Sequence, residues 1–204
     1  MPEPLALPSP GRPAWLREAE RLDVAVYAAI AATPTPALDD AMRRLTRAAD
    51  YSKLWLGAAA ALALKRSREG RRAAVSGLFS LGVTAVVLNL GFKGVGRPRP
   101  DPAAAGVPLA RQVRMPRSTS FPSGHSAAGF AFATGVGHVL PREALPLHLL
   151  AGLVAYSRVH TGVHYPADAA AGALTGTAIA QLASRSLDRR GGLQAGRGRS
   201  RPRR

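Results

Sequence analysis

The chain has 204 residues, contains no cysteine and carries a formal net charge of +16 at pH 7. Its length favours a single domain, and the absence of cysteine excludes disulfides and thiolate metal sites. A charge this positive would suit a nucleic-acid partner, so the positions of the charges decide which partner to expect.

The first fifty residues divide into a Pro-rich start and two helical patterns. We predict that residues 1–20 form a flexible N-terminus. Leu22–Ala32 and Ala37–Ala48 place apolar residues at helical spacing on either side of Thr33-Pro34-Thr35-Pro36, which predicts two amphipathic helices within residues 21–50. These helices could lie at a membrane interface or form a soluble helical cap, and the pattern is compatible with both.

Five apolar segments follow, and they predict an all-α fold: a polytopic membrane helical bundle of about five spans, with its core at residues 51–184. One segment alone, Ala73–Phe92, has the roughly 20 apolar residues that cross a bilayer without help from its flanks. The alternative is a soluble all-helical core. The segments are approximately Tyr51–Leu64, Ala73–Phe92, Gly124–Leu140, Leu145–Tyr156 and Ala167–Ser184.

The positive charge lies in the gaps between these segments. Lys65–Arg72 carries a net charge of +4, Lys93–Phe121 carries +5, and the tail Arg185–Arg204, which we expect to be disordered, carries +7. This distribution is typical of membrane-protein loops, so we expect a bilayer partner and no nucleic-acid partner. Five crossings put Lys65–Arg72 and the tail on one side, which the positive-inside rule makes cytoplasmic. The segments Lys93–Pro100, Ser120–Ser126 and Ser157–Asp168 then all lie on the extracytoplasmic face of a multi-pass protein in the cell membrane.

His164 and Asp168 are the first candidate site residues. They are four positions apart, so on a helical turn the carboxylate can reach the imidazole from the same face. A histidine that is partly unprotonated near neutral pH can act as a nucleophile. Taken alone, the pair could equally cap a helix that begins at Pro166.

His125 follows Pro122-Ser123-Gly124, at the expected start of an apolar helix. Ser123 is a suitable N-cap residue, and the free backbone amides of a helix N-terminus bind anions. We therefore expect the hydroxyl of Ser123 and the amides of Ser123 and Gly124 to hold an anionic oxygen next to His125.

These residues resemble the signature of the type 2 phosphatidic acid phosphatase superfamily. Pro122-Ser123-Gly124-His125 matches the family's second pattern, and Ser157-Arg158 with His164 and Asp168 matches the third. In the first pattern six residues separate Lys from Arg-Pro, whereas five separate Lys93 from Arg99-Pro100 here. The resemblance covers most of the chain, from about Leu45 to Ser184.

The resemblance implies a membrane lipid phosphatase that hydrolyses a lipid phosphate or diphosphate, without a metal, through a phosphohistidine intermediate. It implies that His164 is the nucleophile, that Asp168 orients it, and that His125 protonates the leaving group. Arg97 is a substitute for Lys93 if the shortened spacing displaces the lysine. The implied phosphate-binding residues are Lys93, Arg99, Ser123, Gly124 and Arg158.

No metal or cofactor is expected. His160 lies four residues before His164, a spacing also found in zinc sites, but a metal on His164 would consume the nucleophile. The substrate is expected to be a polyprenyl-linked or glycerolipid phosphate. We favour the polyprenyl type because a site facing outward meets the lipid carriers of the envelope. No oligomeric state follows from the sequence.

Two alternatives remain open at this point. A soluble acid phosphatase or a haloperoxidase-like enzyme would use the same residues. A non-catalytic membrane protein, acting as a lipid-binding or scaffold protein, would account for the altered first pattern.

Overall fold

The structure is a computed structural model that describes residues 13–91 and 96–199, with side chains up to Ser186. Over these residues the chain is helical and has no strand, which confirms the all-α prediction. A 3₁₀ turn, Asp50–Ser52, separates the second helix from the third. The helices are α1 (Ala14–Ala32), α2 (Pro36–Ala48), α3 (Lys53–Leu64), α4 (Arg68–Gly91), α5 (Gly124–Gly137), α6 (Pro141–His160) and α7 (Pro166–Arg199).

Helix α5 lies at the centre of the bundle and packs against α4, α6 and α7. Its sequence is mostly Gly, Ala and other small residues, which lets the neighbouring backbones approach closely. A Cβ atom on Gly176 of α7 would lie 2.2 Å from the carbonyl oxygen of Ala127 in α5. The contact between α5 and α7 therefore requires glycine at this position.

Two apolar clusters stabilise the bundle. In the first, Trp55 of α3 packs against Phe132 of α5, with ring centroids 5.6 Å apart. In the second, Tyr27 of α1 is fully buried and packs edge-on against Tyr165, at 5.3 Å between centroids. The second cluster attaches α1 to the α6–α7 end of the bundle.

A buried ion-pair network attaches α1 and α2 to the rest of the chain. Arg111, in the connection between α4 and α5, is fully buried, and its Nε donates to Asp39 Oδ1 of α2 at 2.7 Å. Its terminal nitrogens donate to Ile30 O in the last turn of α1 at 3.2 Å and to Thr33 O, directly after the helix, at 2.6 Å. His160 Nε2 lies 3.1 Å from the same oxygen of Asp39. The two amphipathic helices are therefore docked on the bundle.

Each of the five predicted apolar segments coincides with one of the helices α3 to α7. Within the described residues, α4 alone is long and apolar enough to cross a membrane by length and composition. Helices α3 and α5 have 12 and 14 residues, about 18 and 21 Å at the rise of an α-helix. The structure thus gives one clear span.

Helix extends into both ends of the chain that we expected to be flexible. Helix α1 begins at Ala14, directly after Pro13, so residues 14–20 are helical, and residues 1–12 lie outside the described part. The backbone of α7 continues beyond Ser184 to Arg199, through most of the tail that we expected to be disordered. No proline lies within residues 167–201, so the sequence there does not force the helix to end at Ser184.

The two ends of the bundle are chemically different. At one end, Lys65 Nζ in the turn between α3 and α4 lies 3.0 Å from Glu143 Oε1 in the first turn of α6. At the other end α4 finishes, α5 begins, α6 finishes and α7 begins. The described parts of the three motifs, residues 96–100, 120–126 and 157–168, belong to this second end, opposite the arginine-rich Lys65–Arg72.

Candidate active site

His164 lies in the turn between α6 and α7 and is almost fully buried, with 2% of its surface exposed. Its Nε2 atom lies 3.1 Å from Arg99 Nη1. A guanidinium group only donates hydrogen bonds, so Nε2 carries the lone pair and Nδ1 carries the proton. Nδ1 lies 3.7 Å from Asp168 Oδ2, an ion-pair distance longer than a hydrogen bond. Nε2, the nitrogen that faces the cation, is thus the one with a free lone pair.

The environment of His164 keeps its imidazole neutral. Burial lowers the pKa of His164 below its usual 6.5, and Asp168 opposes this shift. The positive charges of Arg99 and Arg158 lower the pKa of His164 further. An unprotonated ring at neutral pH is the form that can attack phosphorus.

Asp168 is fully buried in the first turn of α7 and is held by three donors. Arg97 Nη1 donates to Oδ1 at 2.7 Å. The hydroxyl of Ser120 and the amide of Tyr165, the latter at 2.9 Å, donate to Oδ2. These contacts fix the carboxylate behind Nδ1 of His164.

Arg97 connects this carboxylate to α1. Its Nη2 donates to Asp23 Oδ2 at 2.6 Å, and its guanidinium carbon lies 4.2 Å from the centre of the Tyr165 ring. Asp23 in turn accepts from the amide of Ala167 at 2.7 Å. Because both terminal nitrogens of Arg97 are bound to carboxylates, the expectation that Arg97 could take the place of Lys93 is not supported. Lys93 itself lies outside the described residues.

Arg99 is held in a fixed orientation beside His164. Its Nε donates to Ser118 O at 2.9 Å, its Nη2 donates to Thr119 O at 3.1 Å, and its Nη1 donates to Val163 O at 2.8 Å. The guanidinium is thus positioned before any ligand binds. Such pre-orientation suits a group that stabilises negative charge during a reaction.

Arg158, near the end of α6, is a buried cation with no hydrogen-bonded carboxylate in the described part of the chain. Its Nη1 donates to the hydroxyl of Thr46 at 2.5 Å and lies 3.9 Å from Asp50 Oδ1. Its Nε is buried without a hydrogen-bond partner in the described part of the chain. Because burying an incompletely paired charge is costly, this arrangement is typical of a site that binds an anion.

Ser123 caps α5, as expected: its Oγ accepts from the amide of Ser126 at 3.4 Å and from the Ser126 hydroxyl at 3.0 Å. The amide of Ser123, however, donates to the backbone carbonyl of Asp168 at 2.9 Å. The expectation that this amide holds a phosphate oxygen is therefore wrong. Gly124 and His125 are the first residues of α5, where amides have no acceptor within the helix.

His125 and Arg99 line one cavity of about 360 Å³. The polar end of this cavity also includes Ser118, and its apolar wall comes from α4, with Leu81 and Leu88. His164 lies directly behind Arg99. The structure thus brings His125, Arg99, Arg158, His164 and Asp168 to one end of the bundle.

Three acidic or hydroxyl residues at this end were missed in the sequence: Asp23, Asp50 and Ser120. Their partners lie 48 to 144 residues away along the chain, so no local spacing indicates them. For Asp23 the one available signal was an acidic residue inside an apolar helical pattern, and that side chain is indeed buried.

Comparison with known proteins gives one consistent result. Residues 73–191 match the family model of the PAP2 superfamily. The chain is 34% identical to decaprenylphosphoryl-5-phosphoribose phosphatase of Mycobacterium tuberculosis H37Rv over 169 residues, covering 80% of this chain and 90% of the relative. The protein of the same name from Mycolicibacterium smegmatis is 34% identical over 153 residues, covering 73% of this chain and 78% of the relative.

Two solved structures share the fold. LpxE of Aquifex aeolicus superimposes with a TM-score of 0.59 at 24% identity, over 79% of this chain and 94% of the other. The transmembrane PAP2-type phosphatidylglycerolphosphate phosphatase of Bacillus subtilis superimposes with a TM-score of 0.63 at 23% identity, over 85% and 87%.

Proposed function

The chain belongs to the PAP2 superfamily, and on that premise we propose that it is a membrane lipid phosphatase that works through a phosphohistidine at His164. Its curated relatives are phosphatases. The observation that carries the proposal is the buried His164, whose Nε2 faces Arg99 while Nδ1 faces Asp168. This geometry presents a lone pair and a fixed positive charge to the same incoming group.

In the first step the phosphate oxygens replace His164 as the partner of Arg99, which frees the Nε2 lone pair. Nε2 attacks phosphorus, the bond from phosphorus to the leaving oxygen breaks, and His125 gives that oxygen a proton. The ring of His164 becomes positive, and Asp168 stabilises it through the Nδ1 proton. Arg99 and Arg158 balance the negative charge on the equatorial oxygens.

In the second step a water molecule attacks phosphorus from the side that the leaving group has vacated. His125, now neutral, takes a proton from this water, and the bond between phosphorus and Nε2 breaks. Phosphate leaves and His164 returns to its neutral form. The cationic side chains of Arg99 and Arg158, together with that of Lys93, carry the charge stabilisation that a metal ion supplies in other phosphatases.

The test is phosphate release by the purified protein in detergent, with a lipid phosphate as substrate and EDTA present. His164→Ala should lose nearly all turnover, whereas His148→Gln, on α6 more than two turns before Arg158, should keep it. A radiolabelled substrate should leave an acid-labile, base-stable label on the wild type. Turnover retained by His164→Ala would overturn the proposal.

We further propose that helices α3 to α7 form a bundle embedded in the bilayer, in which α3, α4, α6 and α7 face the lipid around the central α5. Large apolar side chains are exposed to the outside on four of these helices. Water-soluble proteins seldom expose large apolar patches. On α6 they recur at every fourth residue, in a stripe along one face. The outward residues include Leu56, Val75, Val86, Leu90, Leu145, Leu149, Leu153, Leu174 and Leu182.

The proposed orientation places the active site outside the cytoplasm. The arginine-rich Lys65–Arg72 lies at the opposite end of the bundle and would stay inside. Because the chain has no cysteine, single-cysteine variants test this directly. In intact spheroplasts a membrane-impermeant maleimide should label Leu109→Cys, in the exposed connection between α4 and α5, and spare Arg68→Cys. The reverse pattern would contradict the orientation.

For the substrate we propose a polyprenyl-phosphoryl sugar whose phosphate ester is carried by the sugar. The relatives are named for decaprenylphosphoryl-5-phosphoribose, in which ribose separates the terminal phosphate from the lipid. The lining of the cavity that contains His125 includes the polar residues Ser52, Asn89 and Thr119, which suit a hydroxylated leaving group. Values of kcat/KM should rank such a substrate above phosphatidic acid and above undecaprenyl diphosphate. A higher kcat/KM for either of these would contradict this assignment.

A further inference from the structure

Asp50, in the turn between α2 and α3, contacts the proposed acid–base residue. Its Oδ1 lies 2.9 Å from His125 Nε2 and 3.9 Å from Arg158 Nη1. Its side chain is 41% exposed. Resting on the proposed phosphatase reaction, we infer that Asp50 is the positioning residue of His125: it fixes the ring orientation and tautomer with which His125 exchanges protons.

The backbone around Asp50 supports this role. Tyr51 and Ser52 have φ angles of 56° and 60°, in the left-handed region that L-residues other than glycine seldom occupy. Each such residue costs on the order of 1 kcal/mol or more and persists when the surrounding structure requires it. The two residues form part of the wall of the 360 Å³ cavity. The chain therefore accepts local strain in the turn that carries the Asp50 carboxylate to His125.

The contact decides which nitrogen of His125 reacts. A carboxylate only accepts hydrogen bonds, so Nε2 of His125 keeps its proton in both the neutral and the charged ring. Nδ1 is then the atom that gives a proton to the leaving oxygen and later takes one from water. The ring alternates between charged and neutral forms while its bond to Asp50 stays in place, which is how a carboxylate orients a catalytic histidine.

The charges around His125 also favour a positioning role for Asp50. The charged and titratable groups around His125 are Asp50 from the α2–α3 turn, Arg158 from α6 and His164 from the α6–α7 turn. Burial of the ring disfavours its positive form most, Arg158 disfavours it further, and Asp50 favours it. Removing Asp50 would leave the charged form of His125 beside a cation with no close carboxylate. The proton that the leaving group needs would then be less available.

A different role for Asp50 would be to occupy the phosphate position until substrate binds, because it lies near two groups that phosphate also needs. The distances argue against this. The contact to His125 is a hydrogen bond, but the one to Arg158 is long, and Arg158 Nη1 donates to Thr46 instead. Arg158 Nε has no partner among the described side chains and remains available for an anion.

The experiment compares Asp50→Ala and Asp50→Glu with the control variant Asp40→Asn. Asp40 is a carboxylate on the exposed face of α2 that pairs with Arg43 and Arg44. Two substrates are used: a lipid phosphate, whose alkoxide leaves only with a proton, and p-nitrophenyl phosphate, whose leaving group needs none. For Asp50→Ala we expect kcat on the lipid phosphate to fall by about 100-fold with little change in KM. The first-turnover burst of p-nitrophenolate should stay within about threefold of the wild-type rate.

The other variants and readouts make the inference falsifiable. Asp50→Glu should recover part of the lost kcat, and Asp40→Asn should behave as wild type. The burst amplitude counts folded, competent sites, so a folding defect is recognised separately. The inference would be overturned if Asp50→Ala lost as much in the burst rate with p-nitrophenyl phosphate as in the turnover of the lipid phosphate. It would also be overturned if Asp50→Ala kept the wild-type kcat and was inhibited more tightly by inorganic phosphate. Failure of the phosphatase proposal would appear differently, as turnover in His164→Ala or as no phosphate release by the wild type.

Discussion

Arg97 provides the most demanding test of how the site is held together. It donates to Asp168 at 2.7 Å and to Asp23 at 2.6 Å, and Asp168 is fully buried. Removing one partner of a buried ion pair costs about 3–5 kcal/mol. The Arg97 side chain is 23% exposed, so water can replace part of what is lost. For Arg97→Met we therefore expect a loss near the lower limit, about 3 kcal/mol in the free energy of unfolding.

Arg97→Lys should fall between Arg97→Met and wild type. A lysine ammonium keeps the charge but cannot span two carboxylates or stack flat on Tyr165 as a guanidinium does. Losing one charge-assisted hydrogen bond costs about 1.5–3 kcal/mol. The activity should follow the position of Asp168. A displacement of about 1 Å lowers the rate by roughly 100-fold, so we expect kcat to fall about that much in Arg97→Met and by about 10-fold in Arg97→Lys.

The matched control is Arg44→Met. Arg44 pairs with Asp40 at 2.6 Å, as close as the Arg97 contacts, but its side chain is 80% exposed. Such a surface pair contributes at most about 1 kcal/mol, and kcat should not change. Denaturant unfolding in micelles and phosphate release at saturating substrate measure the two effects. The reasoning would be refuted if Arg97→Met matched Arg44→Met, or if it raised KM with kcat unchanged, which would make Arg97 a substrate-binding residue.

Three further outcomes are expected. Gly176→Ala places a Cβ atom against the α5 backbone and should lower the free energy of unfolding by about 1–3 kcal/mol. Gly82→Ala, which has open space around it in α4, should raise the free energy of unfolding by about 0.5–1 kcal/mol. Thermal unfolding compares the two variants. The pKa of His164 is lower in the folded protein than in the unfolded chain, so the unfolded chain binds more protons below pH 6.5. The wild type should therefore lose stability relative to His164→Asn as the pH falls from 7.5 to 5. Parallel curves of unfolding free energy against pH for the two proteins would contradict this. Arg111→Met leaves Asp39 and the end of α1 without their buried hydrogen-bond donor. It should lower the free energy of unfolding by about 3–5 kcal/mol and make α1 accessible to protease. Protease resistance equal to that of the wild type would show that the ion-pair network is dispensable.

The parts of the fold that follow from local patterns could be predicted. Continuous apolar segments mark α3 to α7, and two periodic segments mark α1 and α2, because burial depends on side chains that neighbour each other in sequence. The spacing of His164 and Asp168 put both on one turn, and Ser123 was recognised as an N-cap. The family resemblance was confirmed by the match over residues 73–191.

The parts that depend on distant contacts could not be predicted. Arg97 is the clearest case: its motif position suggested a phosphate ligand, but its two partners are 71 and 74 residues away and hold it behind Asp168. Asp50 reaches His125 through a strained turn that no composition rule indicates. The number of membrane crossings could not be predicted from the apolar segments alone, because the short helices α3 and α5 need their flanking residues to reach the thickness of a bilayer.

The docking of α1 and α2 has a consequence for how the protein is made. Asp23 bonds to Arg97 and Ala167, and Asp39 bonds to Arg111, so both N-terminal helices lie at the end of the bundle that holds the site. On the proposed orientation they must be translocated across the bilayer ahead of α3 during biogenesis. Residues 1–50 have a net charge of −1, unlike the strongly basic segments that the membrane retains on the inner side. On that orientation the proposed site is complete only after N-terminal export, when the two helices pack onto the already inserted core.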